Sequence, residues 1–165
     1  MEPHRPPPPP VRGPPGQAPP ISLENARKAI DTVKAALSYI TATVLAHRGP
    51  AGDTCIDIVL LYHGFALDRV HYDPLAGTPS PKGRPVCLHA YPDQEGVEAR
   101  ARGLAETLVG ELWVVEAAEY RAPERVWVVP LAWRNYVVAH IKVSDDGAEL
   151  VPDYGLTEEV RRRVA

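Results

Sequence analysis

Apolar positions Leu23, Ala26, Ile30, Val33, Leu37, Ile40 and Val44 step alternately by three and four residues, which predicts one long helix from Ile21 to about His47. Ser22 is a suitable N-cap, and Gly49-Pro50 supplies a stop. Three heptads suit a dimer seam or a helix lying on the body's own sheet, and the short length favours the sheet. The pattern then changes. Cys55 to Tyr62 is almost continuously apolar, as in a central strand buried on both faces. His63-Gly64 marks a tight turn into Phe65 to Tyr72, where apolar and polar residues alternate.

Asp73 to Arg84 holds Pro74, Gly77, Pro79, Pro81 and Gly83 and predicts a loop. Pro85 to Tyr91 reads as a third short strand. Asp93 can cap a second helix with an apolar face of Val97, Ala101, Leu104 and Leu108, ending at Gly110. Two β-branched strands follow, Leu112 to Ala118 and Val126 to Ala132, joined by a polar turn at Arg121 to Glu124. Pro130 places the second at an edge or a bulge. Tyr136 to Val143 alternates again, and Asp145-Asp146-Gly147 turns it into Ala148 to Val151. Thr157 can cap a C-terminal helix that carries Glu158 and Glu159 in its first turn and Arg161 to Arg163 at its end. The order is helix, three strands, helix, two strands, hairpin, short helix, which predicts an α+β fold with a mixed sheet in a single domain.

Proline divides the chain. Ten of the 19 prolines fall in residues 1–20, where fixed φ and missing donors forbid helix and ladder alike, so this segment is expected to be a disordered, Pro-rich arm ahead of the domain at 21–165. The run Pro6 to Pro10, flanked by Arg5 and Arg12, suits a spacer or a ligand for an aromatic groove. Arginine outnumbers lysine 14 to 4 and Asn, Gln, Cys and Met are scarce, a thermophile-like composition that codon bias can also produce. No run of eighteen apolar residues occurs, so a cytoplasmic protein without membrane contact is expected. The body carries 20 acids and 16 bases, a net charge of −4, which forces no nucleic-acid partner. Cys55 and Cys87 lack a zinc-ligand spacing and are expected to be buried free thiols, with a disulfide as the alternative.

Candidate chemistry concentrates between His63 and His89, with Asp68, His71, Asp73, Lys82, Arg84 and Cys87 between them. His71 and Asp73 share one strand face, as do Cys87 and His89. His71 and His89 are the candidate catalytic pair, suited to metal-free RNA cleavage with Lys82 or Arg84 on the developing phosphate charge. No metal-ligand motif supports a metal, and no phosphate loop or nucleophile elbow occurs, so neither a cofactor nor a nucleotide is expected. Asp57, inside the most apolar strand, is expected to be paired, for instance with an arginine. Trp133, with Arg84, Arg121, Arg125 and Arg134, forms the candidate nucleic-acid-binding set.

The stretch Arg102-Gly-Leu-Ala-Glu-Thr-Leu-Val-Gly-Glu-Leu-Trp-Val-Val115, with Arg125-Val-Trp-Val-Val-Pro-Leu-Ala-Trp133, resembles the catalytic-domain region of tRNA-splicing endonucleases, and the element order is similar. His89-Ala90-Tyr91 is similar to that family's histidine and small residue. Gly110 stands where the family carries a lysine, and the likeness covers about thirty residues, leaving Asn135 to Ala165 outside it. The resemblance implies a structural subunit that pairs with a catalytic one. The leading expectation is a non-enzymatic binding or assembly protein, a homo-oligomer or the subunit of a complex. An RNA-processing endonuclease, or its structural subunit, is the alternative.

Overall fold

A computed structural model describes residues 21–90 and 93–164. The arm at 1–20 and Tyr91, the end of the predicted third strand, lie outside the described residues. The first helix, α1, covers Leu23–Leu37, with Ser22 Oγ accepting from the Asn25 amide at 3.3 Å. It is shorter than the heptad reading, because Ile40–Arg48 is a strand, β1. The spacing misleads for a geometric reason: Ile40 and Val44, four residues apart, share a face in a helix and equally in a strand. Ile40, Thr41, Thr43 and Val44 are β-branched and stiff at χ1, and β1 pairs along its whole length with β2 (Thr54–Tyr62).

β3 (Phe65–Asp73) returns antiparallel to β2 through His63-Gly64, both with positive φ (48° and 83°), the requirement of a type I′ hairpin. Two short strands complete this sheet. β4 (Thr78–Pro79) pairs with β3, and β5 (Cys87–Leu88) pairs with the start of β2 beyond the end of β3.

α2 (Gln94–Glu111) is capped by Asp93, as expected, but runs through Gly110. The second sheet comprises β6 (Leu112–Val114), β7 (Glu119–Arg121), β8 (Val126–Trp133) and β9 (Tyr136–Ser144), with β8 at its centre. Leu112 to Ala118 is therefore not one strand. Pro130 costs β8 nothing, since β6 and β7 pair with either end of that edge and leave a gap opposite the missing donor, one residue before a bulge at Leu131/Ala132. α3 (Tyr154–Val164) is capped by Asp153, whose Oδ1 accepts from the Leu156 amide at 2.9 Å. Thr157, the expected cap, lies inside the helix and is 2% exposed.

The α+β class of the sequence reading holds, with the strands in two antiparallel sheets. Strand alternation sorts β2 into two faces. Ile56, Ile58 and Leu60 join one core with Val70, Tyr72, α2 (Val97, Ala101, Leu108), α1 (Ala29, Val33) and the second sheet (Trp127, Val129, Leu131, Ile141). Leu45, Val59 and Ala66 face the other way and are covered by Leu156 and Val160 of α3. Burying side chains of this size contributes about 1.5–3 kcal/mol each, which makes these two faces the main source of stability. None of the described helices is long and apolar enough to cross a membrane.

Candidate functional site

Two features stand out, the first on the face that α3 covers and the second between α1 and the start of α3. The first is a polar cluster at the Cys55 end of the sheet. Asp57, 1% exposed, is the cross-strand neighbour of His71 and lies on the same face as His47 and Arg69. Its Oδ2 accepts from His47 Nε2 at 2.6 Å and from Arg69 Nη1 at 3.0 Å, and its Oδ1 accepts from His71 Nδ1 at 2.9 Å. Arg69 Nη2 continues to Glu159 of α3 at 3.2 Å. Burial pushes the Asp57 carboxyl up, but the His71 hydrogen bond and the charges of His47, His71 and Arg69 outweigh it and hold the group below the usual carboxylate range. A carboxylate that accepts from one nitrogen of each imidazole fixes the orientation of both rings. The same cluster also anchors α3, together with Thr157 Oγ1, which accepts from the Ala66 amide at 2.9 Å, and the Asp153 amide, which donates to the Ala66 carbonyl at 2.8 Å.

Beside the cluster, Cys55 and Cys87 are joined in a disulfide, which corrects the free-thiol expectation. The physical reason is register: β5 sets Cys87 directly opposite Cys55, with the Cα atoms 4.4 Å apart. Sequence spacing carries no trace of this pairing, because a two-residue strand after a proline-rich loop creates it.

The second feature is a groove at the opposite end of the sheet. Tyr39 past the C-terminal end of α1, Tyr62, His63 and Phe65 of the β2–β3 hairpin, and Leu150, Pro152 and Tyr154 before and in α3 line a cavity of about 720 Å³. The I′ turn projects His63 against two tyrosines, with ring centroids 4.4 Å from Tyr62 and 6.4 Å from Tyr39. Phe65 meets Tyr154 edge to face, and Arg161 caps the Phe65 ring at 5.6 Å. Tyr39, Phe65 and Tyr154 remain 65%, 38% and 64% exposed, unusual for three large rings on one concave surface. Glu149 supplies a carboxylate at the rim.

The residues singled out from sequence scatter. His71 enters the Asp57 cluster, whereas His89 is exposed beyond β5, and the second imidazole on Asp57 is His47. His47 escaped notice because the helical reading placed it at a helix end, although Thr43, Leu45 and His47 alternate as a strand face. Lys82 is held by both oxygens of Asp68 (2.9 and 2.7 Å), which also accepts from the His140 amide. Asp73 caps its own loop through the Leu75 and Ala76 amides, and Arg84 is exposed.

Arg121 and Arg125 sit at one end of β8 and Trp133 and Arg134 at the other, so the aromatic and arginine set is not one patch. Trp133 is 4% exposed, with its indole donating to Glu111 and Arg134 stacked over its ring at 4.1 Å. No family model, curated protein or solved structure matches the chain.

Proposed function

We propose that this chain is a non-enzymatic assembly protein that binds a proline-rich segment of a second copy in the aromatic groove. The observation that carries this reading is the convergence of three exposed rings, Tyr39, Phe65 and Tyr154, on one 720 Å³ cavity. Exposed aromatic ridges with a polar rim are what a polyproline II segment packs against, because such a segment is already extended and loses little entropy on docking. The chain's sequence offers a proline run of that kind, Pro6 to Pro10, with Arg5 and Arg12 as counterparts for Glu149.

Ile21 begins at the end of α1 remote from Tyr39, and the 15-residue helix spans about 22 Å. A groove filled from a second copy does not require residues 1–20 to turn back along the length of α1 to meet it.

The test is light scattering on the full chain across a concentration series, with the double variant Tyr39→Ala, Tyr154→Ala in parallel. Wild type should form a concentration-dependent oligomer that the variant loses, and added peptide of residues 1–20 should compete with it. A wild-type monomer at every concentration, or an oligomer indifferent to both variant and peptide, would sink the reading.

One observation favours a second reading, the RNA-processing alternative: His71 is oriented by Asp57 with Arg69 alongside, the arrangement general acid–base chemistry needs. On this reading His71 acts with His47 rather than His89. Salt-sensitive RNA binding, with cleavage abolished by His71→Ala, would support it.

A further inference from the structure

The turn between β1 and β2 and the start of β2 bring together a donor set that the assembly reading does not use. Asp53, Cys55 and Cys87 each offer one ligand atom, all within 4.8 Å of one another. Two independent details mark the spot as more than a structural bridge. Asp53 Oδ1 is buried yet accepts no hydrogen bond from the described residues, a costly state for a carboxylate oxygen. Gly49, across the turn, keeps the space above that oxygen open: a Cβ there would lie 2.4 Å from Asp53 Oδ1 and 3.1 Å from Cys55 Sγ. The turn itself is pinned by the Gly49 amide donating to the Asp53 carbonyl at 2.8 Å, so the carboxylate is held beside the sulfurs by backbone.

We propose that, once the Cys55–Cys87 bond is reduced, the two thiolates and the Asp53 carboxylate bind one zinc-class divalent cation. A dithiol reductant transfers two electrons and two protons to the disulfide, giving two protein thiols and the reductant's own cyclic disulfide. The cation then displaces both thiol protons to solvent and takes one sulfur from each cysteine and one oxygen from Asp53, leaving a fourth position for water. Two soft thiolates and one carboxylate select zinc over calcium or magnesium. The sheet already holds the two Cα atoms 4.4 Å apart, so side-chain rotation alone opens the sulfurs to the roughly 3.8 Å separation that two Zn–S bonds of about 2.3 Å require. Oxidation and cation binding are thus mutually exclusive states of one site, and the neighbouring anchor of α3 at His47 and Asp57 lies next in register to the switch.

The experiment uses the full chain, reduced with a dithiol and freed of it anaerobically, and titrated with Co²⁺ as a spectroscopic stand-in for Zn²⁺. The reduced wild type should bind one cobalt per chain with thiolate-to-metal charge-transfer absorption and the intense visible bands of a tetrahedral site, and zinc should bleach them. The oxidised chain should show neither. Asp53→Asn, which keeps both sulfurs, should bind at least tenfold more weakly, and Cys55→Ser should lose the charge-transfer band. Equal binding by oxidised and reduced protein, or an unchanged affinity in Asp53→Asn, would overturn the assignment. If reduction unfolds the chain, zinc must restore its far-ultraviolet circular dichroism, and failure to do so overturns it equally.

Discussion

Replacing Asp57 by Asn tests whether the buried carboxylate acts as a charge that three side chains require. The substitution keeps the shape, and one amide oxygen can still accept from His71, but the amide nitrogen now faces Arg69 Nη1 and His47 Nε2, which stood 3.0 and 2.6 Å from the lost carboxylate oxygen. Breaking a fully buried ion pair costs about 3–5 kcal/mol. Arg69 is 27% exposed and keeps Glu159, and the two histidines are 21% and 16% exposed, so water offsets part of that and about 3 kcal/mol is expected.

In urea, with a slope of about 2 kcal/mol per molar for a domain of this size, the midpoint should fall by about 1.5 M at pH 7. The pH dependence gives the sharper check. The folded carboxyl titrates below its unfolded value, so its contribution is whole above the unfolded value near 3.9 and is lost as pH falls through the folded one. The wild-type advantage over Asp57→Asn should therefore shrink as the measurement moves from pH 7 to about pH 3. A midpoint shift under about 0.5 M at pH 7, or a gap of equal size at both pH values, would refute the charge argument.

Three further outcomes follow from the same contacts. Cys87→Ser opens a loop whose ends lie 32 residues apart, which on the chain-entropy relation should cost roughly 4 kcal/mol against the oxidised wild type, read as a urea midpoint that matches the reduced protein. Thr157→Val removes the acceptor of the Ala66 amide and should cost about 1–3 kcal/mol while leaving the sheet intact, with amide exchange accelerated at Ala66 and along α3. Gly147→Ala forces a side chain onto φ +76° and places its Cβ 2.6 Å from the Asn25 carbonyl oxygen and 2.9 Å from the Ala29 nitrogen, so a loss of about 3 kcal/mol is expected by thermal melting.

Local chemistry made much of the fold legible. Strands β2, β3, β8 and β9 follow from their own β-branched runs and turn residues, as do the Ser22 and Asp93 caps and the His63-Gly64 and Asp146-Gly147 turns, because each depends on a few adjacent residues. The α+β class followed from those elements, and so did the pairing of Asp57 with an arginine, since a lone carboxylate in an apolar strand demands a cation.

What the sequence could not decide was non-local. Whether Ile40 to Val44 continued a helix or began a strand depended on the partner strand β2, nine residues of ladder that no spacing of four reveals. That choice turned His47 from a helix-end residue into a ligand of Asp57. Likewise, only the register of β5 placed Cys87 against Cys55, and only the docking of α3 across the sheet brought Tyr154 to Tyr39 and Phe65 to form the groove. Tertiary structure settled these because each rests on residues far apart in sequence that meet through strand pairing and helix packing, where propensity carries no information.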